Sequence, residues 1–321
     1  MPHWKSILTY DGSPYNGWQI QPALPTVQGT LAQVIHRITG ETVLPQGSGR
    51  TDTGVHALAQ VATFSLTAPI PAANLHRALN RALPPSIRIL SVEPVPQDFH
   101  ARHSARRKTY EYRILPCESH PEDRICPPML APYVWAYRFP LELAPLQQAA
   151  AHVLGTHDFS SFAAVDPDLT TRTRSQQETA PAESTSTHTP APQNSITNDI
   201  ITNNVVTNDL SASAKKSTVI STVVGELADE VEKPASSNRI PTDNTRTIFH
   251  SAWHQHEDIL IYRVTGSGFL HHMVRNLVGT FVETATRLDP DVIPKILAAR
   301  NRSVAGPTAP ARGLFLVEVE Y

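Results

Sequence analysis

Apolar residues recur along the chain with the period of helices in some stretches and with the period of strands in others. An early helix carries Leu31 and Ile35 on its apolar face, and Gly40 is placed to end it. A second helix over 74–83 is stopped by Pro84. Alternating or β-branched apolar runs predict strands between the helices. The predicted strands cover 5–10, 55–64, 87–92, 108–115, 248–254, 258–265 and 314–320, and further helices cover 144–154 and 269–286.

This mixture of strands and helices predicts an α+β protein. The 321 residues are many for a single core and favour two parts. We expect an N-terminal α+β half over 1–105 and a C-terminal α+β half over 106–321. Two such halves, with mainly antiparallel sheets, would face each other across a central cleft.

A polar stretch at 166–247 interrupts the second half. It contains no Phe, Trp or Tyr, and its 11 acidic residues outnumber its 7 basic residues. Such a composition buries too little apolar surface to offset the entropy of ordering, so a disordered insertion is predicted. Short β-branched clusters at 200–206 and 219–224 leave a local hairpin open.

Composition restricts the compartment. Cys117 and Cys126 are the only cysteines, too few for a disulfide framework or a four-cysteine zinc site, which favours a reducing cytoplasm. No apolar run approaches the roughly 20 residues that span a bilayer, so we expect a cytoplasmic protein without a membrane partner.

A basic tract between positions 100 and 113 changes the interpretation of a net charge of only −2. The tract has five Lys or Arg residues against one acid, and Tyr110 and Tyr112 lie among them. Cations beside aromatic rings suit RNA, because they can neutralise phosphates and stack on bases. An ordinary solvated charged surface is the alternative explanation.

The turn at 47–60 carries the strongest chemical signal in the chain. It reads G-S-G-R-T-D-T-G-V-H-A-L-A-Q and presents Asp52 in a glycine-rich turn before a strand. Glycines let a backbone bend and admit a ligand closely, and loops on rigid elements often present reactive groups. The alternative is an Asp that only caps its own turn through a local hydrogen bond.

The stretch 49–57 resembles the G-R-T-D-A-G-V-H-A signature of the tRNA pseudouridine synthase A (TruA) family, with Thr53 in place of alanine. The resemblance runs from about residue 5 to residue 321, apart from the insertion, where family members usually have a short connection. Further matching stretches follow in the family's order at 10–13, 17–19, 98–102, 110–112, 268–276 and 313–317.

The resemblance implies the pseudouridine synthase fold and an isomerase that converts uridine to pseudouridine at positions 38 to 40 of the tRNA anticodon stem-loop. It also implies a homodimer in which one tRNA contacts both subunits, and no metal or organic cofactor. Asp52 would be the nucleophile, since a carboxylate can attack the ribose or the base and divide one high barrier into lower ones.

The same resemblance supplies the remaining site residues. Arg275 would lie beside the catalytic acid, and Arg50 would contact the RNA backbone or fill the gap left by an extruded base. Tyr110 would stack on the flipped uracil, Leu314 would help to wall the pocket, and Arg102 would bind substrate. Without the resemblance, surface solvation is the commoner role of a helical arginine such as Arg275.

Three other interpretations fit parts of the sequence. The histidine groups 254–256 and 271–272 lack familiar zinc spacing, so we expect them to be polar or RNA-contacting residues. Asp52-Thr53-Gly54 spells the D-T-G of aspartic proteases, but those enzymes need two such carboxylates and the chain has no second motif. A non-catalytic tRNA-binding protein is the remaining alternative.

Overall fold

The strands predicted in the two halves join into one sheet. The computed structural model describes residues 1–116, 125–164 and 243–321. The strands in these ranges are β1 (His3–Tyr10), β2 (Gln46–Gly47), β3 (His56–Ser65), β4 (Ile87–Val95), β5 (Arg107–Pro116), β6 (Trp135–Tyr137), β7 (Gly155–Asp158), β8 (Thr245–His256), β9 (Ile259–Gly266) and β10 (Leu314–Glu320).

Within the described ranges the sheet order is β4-β1-β3-β10-β5-β9-β8-β7, with β2 beside β3 and β6 beside β5. Most neighbours are antiparallel, which confirms the predicted α+β class with mainly antiparallel pairing. The boundary at 105/106 precedes β5 and stays a prediction.

The C-terminal strand joins the two halves. β10 runs parallel to β3, with Phe315 opposite His56, and antiparallel to β5, with Leu314 opposite Tyr112. The last strand of the chain therefore lies between a strand of the first half and a strand of the second half. This arrangement places the turn before β3 close to side chains of β5.

Five helices in the described ranges cover parts of this sheet. The first begins after Thr26, whose side chain accepts a hydrogen bond from the Gly29 amide, and it ends at Gly40 in the left-handed conformation. In the second half, Phe281 packs against Tyr262 of β9 with ring centroids 5.3 Å apart. The helices are α1 (Val27–Thr39), α2 (Ala72–Ala82), α3 (Leu143–Ala151), α4 (Met273–Arg287) and α5 (Ile293–Ala299).

The predicted bounds of the second half need correction. The helix expected from residue 269 begins at Met273, because His272 adopts a left-handed backbone conformation with φ 59° that interrupts helical geometry. Phe269 therefore lies outside the helix. Strand β8 begins at Thr245, so the last three residues of the predicted insertion 166–247 belong to the sheet, while 166–242 lie outside the described residues.

Some elements were not predicted at all. The strands β2, β6 and β7 are two to four residues long, too short for a periodic signal, and α5 has seven residues. Among the described helices, none combines the length and apolar character needed to cross a membrane.

Candidate active site

The turn before β3 is held by hydrogen bonds from within the sheet. Gln60 is fully buried on β3, accepts a hydrogen bond from Ser48 Oγ at 2.7 Å and donates from Nε2 to the Gly49 carbonyl at 2.9 Å. The side chain of one strand residue thus fixes two consecutive residues of the turn. The glycine-rich sequence is therefore rigid at the point where it approaches Asp52.

The next part of the turn is fixed from the N-terminal strand. The hydroxyls of Tyr10 and Thr51 lie 2.8 Å apart in a buried hydrogen bond, and the Trp18 amide donates to the Thr51 carbonyl at 3.0 Å. Gly17 has φ 81°, and a Cβ there would lie 2.5 Å from the Thr51 carbonyl oxygen. Only glycine allows both this conformation and this close approach.

Asp52 contacts an arginine that is 223 residues away in sequence. Arg275 Nη1 donates to Asp52 Oδ2 at 3.0 Å, and the two side chains are 15% and 20% exposed. Arg275 Nε also donates to the Ala309 carbonyl at 2.8 Å, while the Ala309 amide donates to the Arg275 carbonyl at 3.1 Å. The guanidinium is thus fixed on one side by backbone and directed at the carboxylate on the other.

Close packing of helix α4 places the Ala309 carbonyl. A Cβ on Gly279 would lie 1.7 Å from the Pro307 carbonyl oxygen, so the segment that carries Ala309 runs directly against the helix at this glycine. The buried Asn276 strengthens this contact, because its Oδ1 accepts a hydrogen bond from Thr308 Oγ1 at 2.6 Å. Helix and segment together position Arg275.

Two histidines complete the surroundings of Asp52. His271 Nε2 lies 3.6 Å from Asp52 Oδ1, and His272 Nε2 lies 3.3 Å from Asp52 Oδ2. The two rings are tilted by 31° to each other, with centroids 3.9 Å apart. Burial lowers the pKa of His272 below its ordinary value, with Asp52 acting in the opposite direction. A neutral ring suits this position beside the cationic Arg275.

The sequence pattern alone does not connect these histidines with the acid. Their sequence signal is the spacing: they precede Arg275 by four and three residues, positions that share a face with it if the helix is extended backwards. The left-handed backbone of His272, which costs about 1–2 kcal/mol, replaces that extension and still brings both rings to the carboxylate.

Asp52, His271 and His272 each offer a ligand atom within 4.8 Å of the others, a spacing that suits a divalent metal. Electrostatics opposes a cation here, because Arg275 already pairs with the carboxylate and the positive end of the α4 dipole begins at His272. Ligating histidines usually donate their second ring nitrogen, whereas His271 Nδ1 is buried without a hydrogen-bond partner among the described residues.

Tyr110 lies on β5 and is 8% exposed. Its ring meets Phe269 edge-on, with centroids 5.0 Å apart, so the residue expected to begin the helix instead packs on the tyrosine. Burial raises the pKa of Tyr110, with smaller contributions from Tyr10 and Asp52, and keeps its hydroxyl protonated. Leu314 is buried opposite Tyr112, two residues along β5, and therefore lies on the same face of the sheet as Tyr110.

Arg50 and Arg102 line the same small cavity. Both are exposed and line a cavity of about 60 Å³ with Gly49 and His100. The six predicted site residues thus fall into three sets: an acid group of Asp52 and Arg275, this arginine group of Arg50 and Arg102, and Tyr110 with Leu314 on one face of the sheet. A larger cavity of about 570 Å³ beyond Gly54 is lined, among the described residues, by one charged side chain, that of Arg312.

The geometry decides two of the alternatives left open above. The Asp52 carboxylate is hydrogen-bonded to Arg275 rather than to its own turn, so it is not a simple turn cap. One guanidinium and two imidazoles surround it, within the described residues, instead of the second carboxylate that an aspartic protease requires.

The sequence around Asp52 and Arg275 is similar to that of a known protein family. A family model described as tRNA pseudouridine synthase matches residues 7–104 and 230–321. The two ranges contain both Asp52 and Arg275, whereas Tyr110 lies between them. The match thus covers both motifs that meet at the carboxylate.

Relatives extend the similarity to nearly the whole chain. The tRNA pseudouridine synthase A of Solibacter usitatus is 39% identical over 98% of this chain and 97% of its own length. The protein of that name from Moorella thermoacetica is 36% identical over the full length of both chains. A third, from Thermoanaerobacter sp., is 32% identical over 98% of each chain.

Proposed function

The chain belongs to the tRNA pseudouridine synthase family, and from this premise we infer that it is an isomerase that converts uridine to pseudouridine in tRNA. The observation that carries the inference is the hydrogen bond between Asp52 and Arg275, because it joins the two motifs that resemble the family most closely. The reaction breaks a carbon–nitrogen bond and forms a carbon–carbon bond without redox change. It therefore needs positioned acids and bases rather than an electron acceptor.

In our proposal Asp52 is the nucleophile. Arg275 holds Oδ2 and leaves Oδ1, which faces His271 at 3.6 Å, as the oxygen directed at the substrate. A fixed guanidinium favours the ionised carboxylate and prevents rotation of its oxygens. Such pre-organisation removes the entropy cost of orienting the attacking group when the uridine arrives.

A uridine paired in a stem cannot reach Asp52, so it must leave the base stack at a cost of a few kcal/mol. We propose that Tyr110 stacks on the flipped uracil and that Leu314 closes the pocket. Phe269 supports this role, because its edge-on contact fixes the plane of the tyrosine ring.

The arginine group suits the RNA backbone. Arg50 and Arg102 bring two guanidinium groups to one small cavity beside Gly49, and phosphate is the ligand that such groups bind best. We propose that this group holds the strand on one side of the flipped nucleotide. The motif resemblance supports positions 38 to 40 of the anticodon stem-loop as the site of modification.

Three further features belong to the proposal. The resemblance supports a homodimer that binds one tRNA across both subunits. The few cysteines and a tRNA substrate support a cytoplasmic location. The division into halves at 105/106, just before β5, is also part of the proposal.

Incubation with unmodified tRNA transcripts tests the proposal. Pseudouridine is mapped by its carbodiimide adducts, which stop reverse transcription at the modified position. We expect product at uridines 38 to 40 and at no other position. Product elsewhere would contradict the assignment of the stem-loop, and absence of product at every uridine would refute the isomerase.

Asp52→Asn tests the nucleophile. The variant should lose turnover by several orders of magnitude while its tRNA affinity changes little, because the missing interaction belongs to the transition state. Asp291→Asn is the matched control, since that carboxylate is 63% exposed and lies on the surface. Near-normal turnover by the Asp52 variant would exclude this role and favour a carboxylate that only binds.

A further inference from the structure

Lys108 on β5 is a partly buried cation without a counter-charge among the described residues. Its Nζ donates to the Ser48 carbonyl, and within the described part of the chain no carboxylate oxygen lies within 4.0 Å of it. Burying an ammonium group without a counter-charge is costly, and a neutral donor would hold the Ser48 carbonyl as well. The position therefore retains a positive charge that the protein itself does not use.

The strand directs this charge toward the proposed substrate. Lys108 and Tyr110 are two residues apart on β5 and project from the same face of the sheet. A Cβ placed on Gly49 would lie 3.6 Å from both Lys108 Nζ and Tyr110 Oη. The ammonium and the hydroxyl are therefore both close to this glycine. Glycine leaves the space between them open to a ligand.

Lys108 also adjoins the arginine group. Burial and the nearby charge of Arg102 lower the pKa of Lys108 to about 8. Gly49 lines the cavity that contains Arg50 and Arg102, so the Lys108 ammonium adjoins a residue of that cavity. Lys108 and Arg102 are thus close enough for their charges to interact, an arrangement that favours an anion.

We propose that Lys108 is a substrate-binding residue that holds a phosphate group of the RNA next to the flipped uridine, beside Gly49 and together with Arg50 and Arg102. The ammonium has three donors and uses one on Ser48, which leaves two for phosphate oxygens. This inference rests on the proposed function, because it takes RNA as the ligand. It assigns the partly buried lysine of the basic tract to one specific contact.

The proposal predicts a pH dependence with a defined sign. A bound phosphate raises the pKa of the ammonium above its value of about 8 in the free protein. Affinity for tRNA is therefore full below that value and is lost as the pH rises through it. Because the protonated fraction falls from about 0.9 at pH 7 to about 0.1 at pH 9, the dissociation constant should rise up to about tenfold.

Neighbouring groups do not produce this effect. Burial lowers the pKa of His100 below 6.5 and raises that of Tyr110 above 10, so neither changes its charge between pH 7 and pH 9. The other groups that face Lys108 are the permanently charged Arg50 and Arg102 at the cavity, and its strand partners Val319 on β10 and Gly266 on β9 have no ionisable side chain.

The experiment measures the dissociation constant of an unmodified tRNA transcript at pH 7, 8 and 9 for the wild-type protein, Lys108→Arg and Lys108→Met. The arginine variant keeps its charge and should bind equally at all three values. The methionine variant should bind several-fold more weakly at pH 7, without pH dependence, and with a salt dependence smaller by about one phosphate contact. Lys5→Met is the matched control, because Lys5 has its own partner in Glu93 at 2.8 Å.

Equal pH profiles for the wild-type and arginine proteins would overturn the proposal, and so would normal binding by the methionine variant. If Lys108 only holds the turn, both variants lower the melting temperature and neither alters the pH profile. Should the methionine variant not fold, the comparison of wild-type and arginine profiles still decides. A wild-type protein that binds no tRNA would refute the proposed function itself. If the wild-type protein isomerises tRNA but its binding has the same pH profile as that of Lys108→Arg, the Lys108 assignment alone is refuted.

Discussion

Gly279→Ala should destabilise this protein although alanine is the better helix former. Gly279 lies inside α4, where local propensity alone predicts a gain of about 1 kcal/mol for alanine. The added Cβ would lie 1.7 Å from the Pro307 carbonyl oxygen and 2.9 Å from its carbon. Since non-bonded carbon and oxygen atoms need more than 3 Å, the helix and the segment must separate by roughly 1.5 Å.

The expected magnitude follows from this separation. Overpacking against backbone costs about 3 kcal/mol, at the upper end of the usual range, because a carbonyl cannot rotate away as a flexible side chain does. After the propensity gain, a net loss of about 2 kcal/mol remains, which corresponds to a fall in melting temperature of about 4–8 °C for a protein of this size.

The substitution Gly279→Ala should also lower the rate of the reaction. Ala309 follows Pro307 by two residues, and its carbonyl holds Arg275 at 2.8 Å. A displacement of about 1 Å at this carbonyl would release the guanidinium from Asp52, and misplacements of that size cost on the order of a hundredfold in rate. We therefore expect turnover to fall far more than tRNA affinity.

Calorimetry and single-turnover kinetics check both parts. Gly268→Ala is the control, because a Cβ there would meet Arg246 at ordinary distances of 3.7 and 3.8 Å. A melting temperature of Gly279→Ala equal to or above that of the wild type would refute the packing argument. A lowered melting temperature with normal turnover would refute the coupling from Ala309 to Arg275.

Two further predictions separate binding from chemistry and test the insertion. Replacing the exposed residues Arg106 and Arg107 with alanine should weaken tRNA binding and reduce its salt dependence. The variant Tyr110→Ala should mainly slow turnover. Equal effects of the two changes on tRNA affinity, with unchanged turnover, would contradict this division between binding and chemistry. Replacing 168–242 with a short Gly/Ser linker should leave folding and tRNA modification intact, as judged by cooperative melting and product mapping. The linker must end before Asn244, whose carbonyl accepts a hydrogen bond from the Phe159 amide at 3.1 Å. Loss of cooperative melting would show that the replaced segment is structural. Modification of non-cognate RNA would indicate that the segment acts as a gate.

The local sequence was sufficient to predict a helix end wherever a single residue ends the helix. Gly40 ends α1 because its φ of 76° costs glycine little, and Pro84 follows the end of α2 because it cannot continue a helix. The central strands were also predicted within a few residues, since apolar alternation directly reports a buried face. The motif around Asp52 was visible because several glycines and charges occur together in a short turn.

The same rules fail at the entry to α4. Phe269, Met273, Leu277 and Phe281 keep helical spacing, yet the helix starts at Met273 and Phe269 packs on Tyr110. Spacing shows that a residue is buried but does not show which element covers it. Here a strained His272 turns the chain, and the energy for that strain comes from contacts distant in sequence.

The active arrangement itself depends on tertiary structure. The chain sequence contains Asp52 and Arg275, but their 3.0 Å contact requires β10 to lie between β3 and β5 and α4 to press on the segment that carries Ala309. The sequence by itself determined the elements, the acid and the basic tract, because these depend on composition and short-range pattern. Only the fold decided which of those charges face the acid, because strand order and helix packing are set by contacts hundreds of residues apart.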